Sequence, residues 1–249
     1  MPVLKRKIMI SVFSFLILCF LCYGAFPRST VSVFGDGSCP STLVIDPGHG
    51  GPDGGAVSNS GVREADLNLQ ISFRLRDLAA LTGLPVLMTR EADISLHDAD
   101  CETIASKKLS DLRNRVRFIG SQAPCILISV HQNHFPQEKY HGAQVFFAQN
   151  VQSSEIAKSM QDNICNYLDK ENKRKPKPAQ GIYLMQHVTC PAVLLECGFL
   201  SNEQETQMLQ NDTYQKKLAL TVLRTITQTK NGGFEFENEN SFFLHPVRQ

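Results

Sequence analysis

The chain has 249 residues, 42% apolar, 20% charged and 8% aromatic, and its 25 Lys and Arg against 24 Asp and Glu leave a formal net charge of +1. A chain of this size buries about 70% of the surface its unfolded form exposes, so it needs no staple to fold, and the balanced charge excludes a protein that works by neutralising nucleic-acid phosphates. Sixteen Gly and twelve Pro exclude a collagenous or disordered chain, and eight Cys fall short of a disulfide scaffold.

The elements, taken in chain order, begin with Lys5, Arg6 and Lys7 ahead of an uncharged apolar run at 8–26. As a helix that run would be roughly 28 Å long at about 1.5 Å per residue, close to the ~30 Å hydrocarbon core, with the basic flank marking its cytoplasmic end. Residues 1–26 are therefore expected to be a signal or transmembrane anchor that leaves the rest of the chain outside the cell, and Cys19 and Cys22 read as apolar span residues. Residues 27–41 read as a spacer, 42–230 as one folded unit and 231–249 as a loose tail. Within the unit, short apolar runs at 43–45, 85–88, 126–130, 143–147, 182–185 and 192–195 predict strands. Between them, helical spacing predicts faces carrying Leu67, Ile71, Leu75 and Leu78; Leu112, Val116 and Ile119; Ile156, Met160, Ile164 and Tyr167; and Leu218, Val222 and Ile226. Strands alternating with helices predict an α/β fold, a single domain with a mostly parallel, twisted sheet flanked by helices on both faces. The basic run at 170–177 reads as a solvated loop.

Ligands in open α/β sheets bind beyond the carboxyl ends of strands. The first run is followed by Asp46, Pro47, Gly48 and His49, the run at 126–130 by His131, and the run at 192–195 by Glu196. A second carboxylate, Glu64, opens the first helix after a glycine-rich turn. Two imidazoles and a carboxylate are the ligand set of many catalytic zinc sites, which keep a position open for water. A further carboxylate can then take the proton of the attacking water. Spacing allows two assignments: Glu64 as ligand with Glu196 as base, or the reverse.

Taken singly, each residue has a plainer reading. A His after a strand is most often a hydrogen-bonded core or surface group, and a Glu at a helix start satisfies the helix dipole. The glycine-rich turn lacks both the Gly-Lys-Ser/Thr ending and the Gly-x-Gly-x-x-Gly spacing of phosphate loops, and the His-Glu-x-x-His pattern is absent. Cys125, Cys190 and Cys197 lie in or beside core strands and read as apolar thiols, and His97, His134, His141, His187 and His245 read as non-ligands.

The stretches LVIDPGHGGPDGGAV at 43–57, SVHQN at 129–133 and LLECGFLSN at 194–202 resemble the three signature regions of the zinc-dependent N-acetylmuramoyl-L-alanine amidases of the amidase 3 family. The resemblance runs from about residue 43 to 227, and LMTREADISL at 87–96, DLRNRVRFI at 111–119, HGAQVFF at 141–147 and GIYLMQHVT at 181–189 are similar to the germination-specific, CwlD-type members of spore formers. It implies His49, Glu64 and His131 as ligands of one Zn2+ and Glu196 as the catalytic residue, with Arg115 and Asn133 as candidate substrate contacts, although an Arg at that place could equally brace a loop. The implied reaction removes stem peptides from peptidoglycan in the spore envelope, in cooperation with a separate deacetylase that completes the muramic δ-lactam of the cortex, with a protein activator as a further partner. A general autolysin of growth and division, and a non-catalytic scaffold with structural zinc, are the alternatives.

Overall fold

The computed structural model describes residues 42–231. The expected anchor at 1–26, the spacer at 27–41 and residues 232–249 of the tail lie outside the described residues, as do Cys19, Cys22 and His245. Among the described residues no helix is long and apolar enough to cross a membrane.

In chain order the elements are β1 (Thr42–Pro47), α1 (Glu64–Leu81), β2 (Val86–Met88), α2 (Ile104–Gly120), β3 (Cys125–Asn133), β4 (Gln144–Phe147), α3 (Val151–Asn163) running on into a π-turn (Ile164–Leu168), β5 (Lys177–Pro178), α4 (Tyr183–His187), β6 (Ala192–Phe199), α5 (Glu203–Gln210) and α6 (Asp212–Asn231). The sheet order is β2-β1-β3-β6-β4-β5. The first four strands are mutually parallel, β4 runs antiparallel to β6, and β5 runs parallel to β4, so the sheet is mixed.

The central strands read as continuous apolar runs because both of their faces are covered. On one face Leu43, Ile45, Ile126, Ile128, Val193 and Leu195 pack under Leu67, Ile71 and Leu75 of α1, Ile156 and Met160 of α3, and Leu218, Val222 and Ile226 of α6. On the other, Val44, Leu127 and Leu194 meet Val116 and Ile119 of α2 and Leu184 and Met185 of α4. Each such fully buried aliphatic side chain contributes about 1.5–3 kcal/mol. The helix starts are set by local chemistry: Thr103 and Ser106 form a reciprocal capping box on α2, and Asn150 and Asn202 cap α3 and α5.

Residues 182–185 form part of α4 and not a strand. Leu184 and Met185 are buried there while Gln186 and His187 are exposed, the one-sided burial of a helical turn lying on a sheet.

Candidate active site

The carboxyl ends of β1, β3 and β6 lie side by side, and their polar residues converge. Along β3, Ile128 and Val130 point into the first core, so Ser129 and His131 point to the other face; by the same alternation Asp46 of β1 and Glu196 of β6 share that face. Glu64 enters from the first turn of α1 over the edge of the sheet.

The turn after β1 is built to bring His49 back over His131. His49 has φ 62°, a left-handed conformation that is uncommon for a non-glycine residue. Gly48 lies against the ring of His131, where a Cβ would overlap the imidazole. Gly55 (φ 68°) packs so closely on His49 and Glu64 that a Cβ would meet Glu64 Oε2 at 2.5 Å. The two rings stand edge to face with centroids 4.9 Å apart.

Glu64 Oε1 lies 3.2 Å from His49 Nε2 and 3.0 Å from His131 Nδ1. One ligand atom from each of the three residues falls within 4.8 Å of the others, and among the described residues they form the one such grouping of His, Cys, Asp and Glu. Ligands at ~2.0–2.1 Å from a tetrahedral metal are about 3.3 Å apart, so the observed separations and the N, N, O donor set fit one divalent cation such as zinc. Burial of Glu64 opposes its charge, but hydrogen bonds to His131 and His49 and their fields hold its carboxyl far below the usual range. Its Oε2 accepts from Ala56 N at 2.8 Å, which fixes the rotamer.

His49 Nδ1 faces Asp53 Oδ2 at 3.0 Å, and Lys108 Nζ approaches the same oxygen at 3.2 Å. Burial would lower the His49 pKa; the hydrogen bonds to Asp53 and Glu64 outweigh it and raise it from 6.5 to about 9. A carboxylate on the far nitrogen is the usual way of orienting a metal-binding imidazole.

Glu196 sits beside His131 across the β3/β6 pair. Its Oε2 is buried with no hydrogen-bond partner among the described residues. Burial pushes its carboxyl up to about 7, with His131 and His49 pulling down and Glu64 pushing up. A buried carboxylate oxygen without a partner costs about 1–3 kcal/mol or more, so it marks a position kept open for something the protein itself does not supply.

Arg115 is only 2% exposed and is fully engaged. Nε donates to Asp111, Nη1 to Asp46 (2.6 Å) and to the carbonyl of Pro47, and Nη2 to the carbonyl of His49 at 2.7 Å. No Arg115 donor is left facing solvent, which favours the bracing alternative over the expected substrate contact. Sequence reasoning missed its counterpart, Arg90, which donates to the carbonyls of Pro47, Gly48, Ala65 and Ala92, each at 2.9 Å. The missed signal was positional: Thr89 and Arg90 directly follow β2, at the same sheet edge that identified the other residues. Asn133 ends β3, half-buried, with Oδ1 accepting from His134 N at 2.8 Å. Cys125 and Cys197 are buried, whereas Cys190 is half-buried.

This α/β fold, with a His, Glu, His cluster at the sheet edge and a further carboxyl beside it, has the makeup of a metal-dependent hydrolase. The chain belongs to the N-acetylmuramoyl-L-alanine amidase family (Amidase_3), whose model matches residues 43–228, and it is an N-acetylmuramoyl-L-alanine amidase. It is 40% identical over 185 residues to the germination-specific N-acetylmuramoyl-L-alanine amidase of Bacillus subtilis (strain 168), a match covering 74% of this chain and 77% of the relative. The CwlD amidase of Clostridioides difficile, solved in complex with the GerS lipoprotein, superposes with a TM-score of 0.75 at 38% identity, covering 78% of this chain and all (100%) of that one. The N-acetylmuramoyl-L-alanine amidase of Clostridium difficile 630 follows at a TM-score of 0.68 and 27% identity, covering 79% and 100%.

Proposed function

We propose that this protein hydrolyses the amide between the lactyl group of N-acetylmuramic acid and L-alanine using one zinc ion held by His49, Glu64 and His131, with Glu196 as general acid–base. The observation that carries the reading is the unpartnered, buried Oε2 of Glu196 on the strand position next to His131. His49, Glu64 and His131 would hold the ion, which when bound would supply a Lewis acid for the carbonyl and the attacking water. Glu196 takes the proton as the water oxygen adds to the carbonyl carbon, and gives it to the alanine nitrogen as the C–N bond breaks. Burial raises the Glu196 carboxyl in the metal-free site, and a cation bound beside it would draw it back toward the carboxylate that accepts the proton of the water. Asp53 orients His49, Arg90 and Arg115 hold the carbonyls of its loop, and Asn133 offers its amide N–H to the substrate.

Similarity to a germination-specific relative supports a place in the spore envelope, outside the cytoplasmic membrane; the family match over 43–228 supports 42–230 as the catalytic domain, and the apolar run behind Lys5, Arg6 and Lys7 supports residues 1–26 as the anchor. There the enzyme strips stem peptides from cortex peptidoglycan and a separate deacetylase completes the muramic δ-lactam. The lipoprotein in the C. difficile complex supports a protein partner for this chain as well. The test is incubation of the purified protein with peptidoglycan, with chelator and with zinc restored, followed by mass analysis. Free peptides beginning with alanine, lost on chelation and regained with zinc, are expected; intact stems in the zinc-replete sample would refute the reaction.

A further inference from the structure

The basic run at 170–177 holds five Lys or Arg and one Glu, and as a mere solvated loop it would sit anywhere on the surface. The topology puts it beside the site. Gln144 of β4 is directly opposite Glu196 in the antiparallel β4/β6 pair, and directly opposed residues share a face. β5 runs parallel to β4, with Lys177 next to Phe146, so the chain entering β5 opens at the edge of the sheet that carries Glu196. Gln144 is the bracket: Nε2 donates to the carbonyl of Lys175 at 2.8 Å, and Oε1 accepts from Arg174 Nη1 at 3.1 Å.

Arg174 is held on two further sides. Nε donates to the carbonyl of His141 at 2.8 Å, and the guanidinium lies over the buried Phe199 ring at 4.5 Å. Nη2 has no hydrogen-bond partner and the side chain no ion pair among the described residues. The acid facing it, Glu205, spends its oxygens on Gly142 N and Phe199 N, both at 2.8 Å. Lys173, Lys175 and Lys177 are exposed around it. A guanidinium held through Nε and Nη1, with Nη2 left free, is positioned to donate to a carboxylate.

We infer that Arg174 and the lysines of the 170–177 loop bind carboxyl groups of the acidic stem peptide while its first amide lies at Glu196; this rests on the amidase reading above. Strands are spaced ~4.8 Å, so β5 is about 10 Å from β6. An extended peptide advances up to ~3.5 Å per residue, so carboxyls two or three residues beyond the scissile amide reach the loop.

The test titrates the full chain carrying Glu196→Gln, zinc present, with a soluble muramyl stem peptide bearing free carboxyls and with the same compound fully amidated. The acid form should bind at least about tenfold more tightly, the size of one charge-assisted contact, with a preference that weakens in salt. Arg174→Gln should lower the ratio about threefold, Lys173→Gln with Lys175→Gln, both exposed, should lower it about threefold at unchanged Tm, and the three substitutions together should bring it near one. Equal affinity for the two ligands, or Arg174→Gln weakening both alike, would overturn the inference. Turnover of the same compounds by the unsubstituted protein separates the two readings: selective binding without cleavage removes only the amidase mechanism, and cleavage without selective binding removes only this one.

Discussion

Arg115→Met keeps most of the side-chain volume and strips the charge and every donor from behind the ligand loop. Asp46 is then left fully buried beside Thr89 and Ser129 without its cation. In the native protein burial pushes the Asp46 carboxyl up, but Arg115 and the two hydroxyls outweigh it and lower the pKa from 3.8 to about 2. At ~1.4 kcal/mol per unit, that difference alone is about 2 kcal/mol. Because the folded value is depressed, this stability is present above pH 3.8 and is lost as pH falls toward about 2. Losing the bonds to Asp111 and to the carbonyls of Pro47 and His49 brings the total to about 3–5 kcal/mol, the usual cost of breaking a buried pair. For a domain of this size that is a Tm drop of roughly 10 °C. Calorimetric melts at pH 7 and near pH 4.5 check it: the deficit should shrink at the lower pH, where the stranded carboxyl takes up a proton. KM of the protein that stays folded should be unchanged. An unshifted Tm with a raised KM would refute the bracing role and restore Arg115 as a substrate contact.

Glu196→Gln should retain one zinc per chain by elemental analysis while turnover falls by ~10²–10⁴, and full activity in that variant would remove Glu196 from the mechanism. Asp53→Asn leaves His49 Nδ1 without its carboxylate and should weaken zinc by ~10–100-fold in competition with a chromophoric chelator; unchanged affinity would show that Asp53 does not orient the ring. Metal-free His49 keeps its proton up to about pH 9, so zinc must displace it. Apparent affinity should therefore rise about tenfold per pH unit from pH 7 toward 9, with matching proton release by calorimetry in buffers of different ionisation heat, and a pH-independent affinity would contradict the site.

The runs at the cores of β1, β3 and β6 were legible because a strand covered on both faces has nothing polar to interrupt it, and the first polar residue after each run then marks the sheet edge. That logic brought His49, His131 and Glu196 together from segments separated by 82 and 65 positions. Other features left weaker traces. The apolar run at 182–185 is too short for periodicity to separate a strand from a buried helical turn, and it forms the latter. β5 is two residues, one of them Pro, and pairs through backbone alone. The reversal of β4 could have been anticipated, since the ten residues between Asn133 and Gln144 are fewer than a parallel crossover needs. Arg90 and Arg115 were hard to place because buried arginines are rare, and only the coordinates show which carbonyls they meet.

Those carbonyls explain why a site with so many unfavourable parts holds its shape. At the last residue of β1 and in the two that follow it, all three carbonyl oxygens are satisfied by buried side-chain donors: Arg90 Nε and Arg115 Nη1 on Pro47, Arg90 Nη2 and Asn68 Nδ2 on Gly48, Arg115 Nη2 on His49. A left-handed residue costs about 1–3 kcal/mol and persists only where the surroundings over-determine it. Here the over-determination comes from planar forks that bond two consecutive carbonyls or a carbonyl and a carboxylate at once, a geometry one ammonium group cannot reproduce. The rigidity lies wholly behind the loop, so the imidazole nitrogens, the inner oxygen of Glu64 and the unpartnered oxygen of Glu196 are presented in fixed positions before substrate or ion arrives, and little reorganisation remains for the reaction itself.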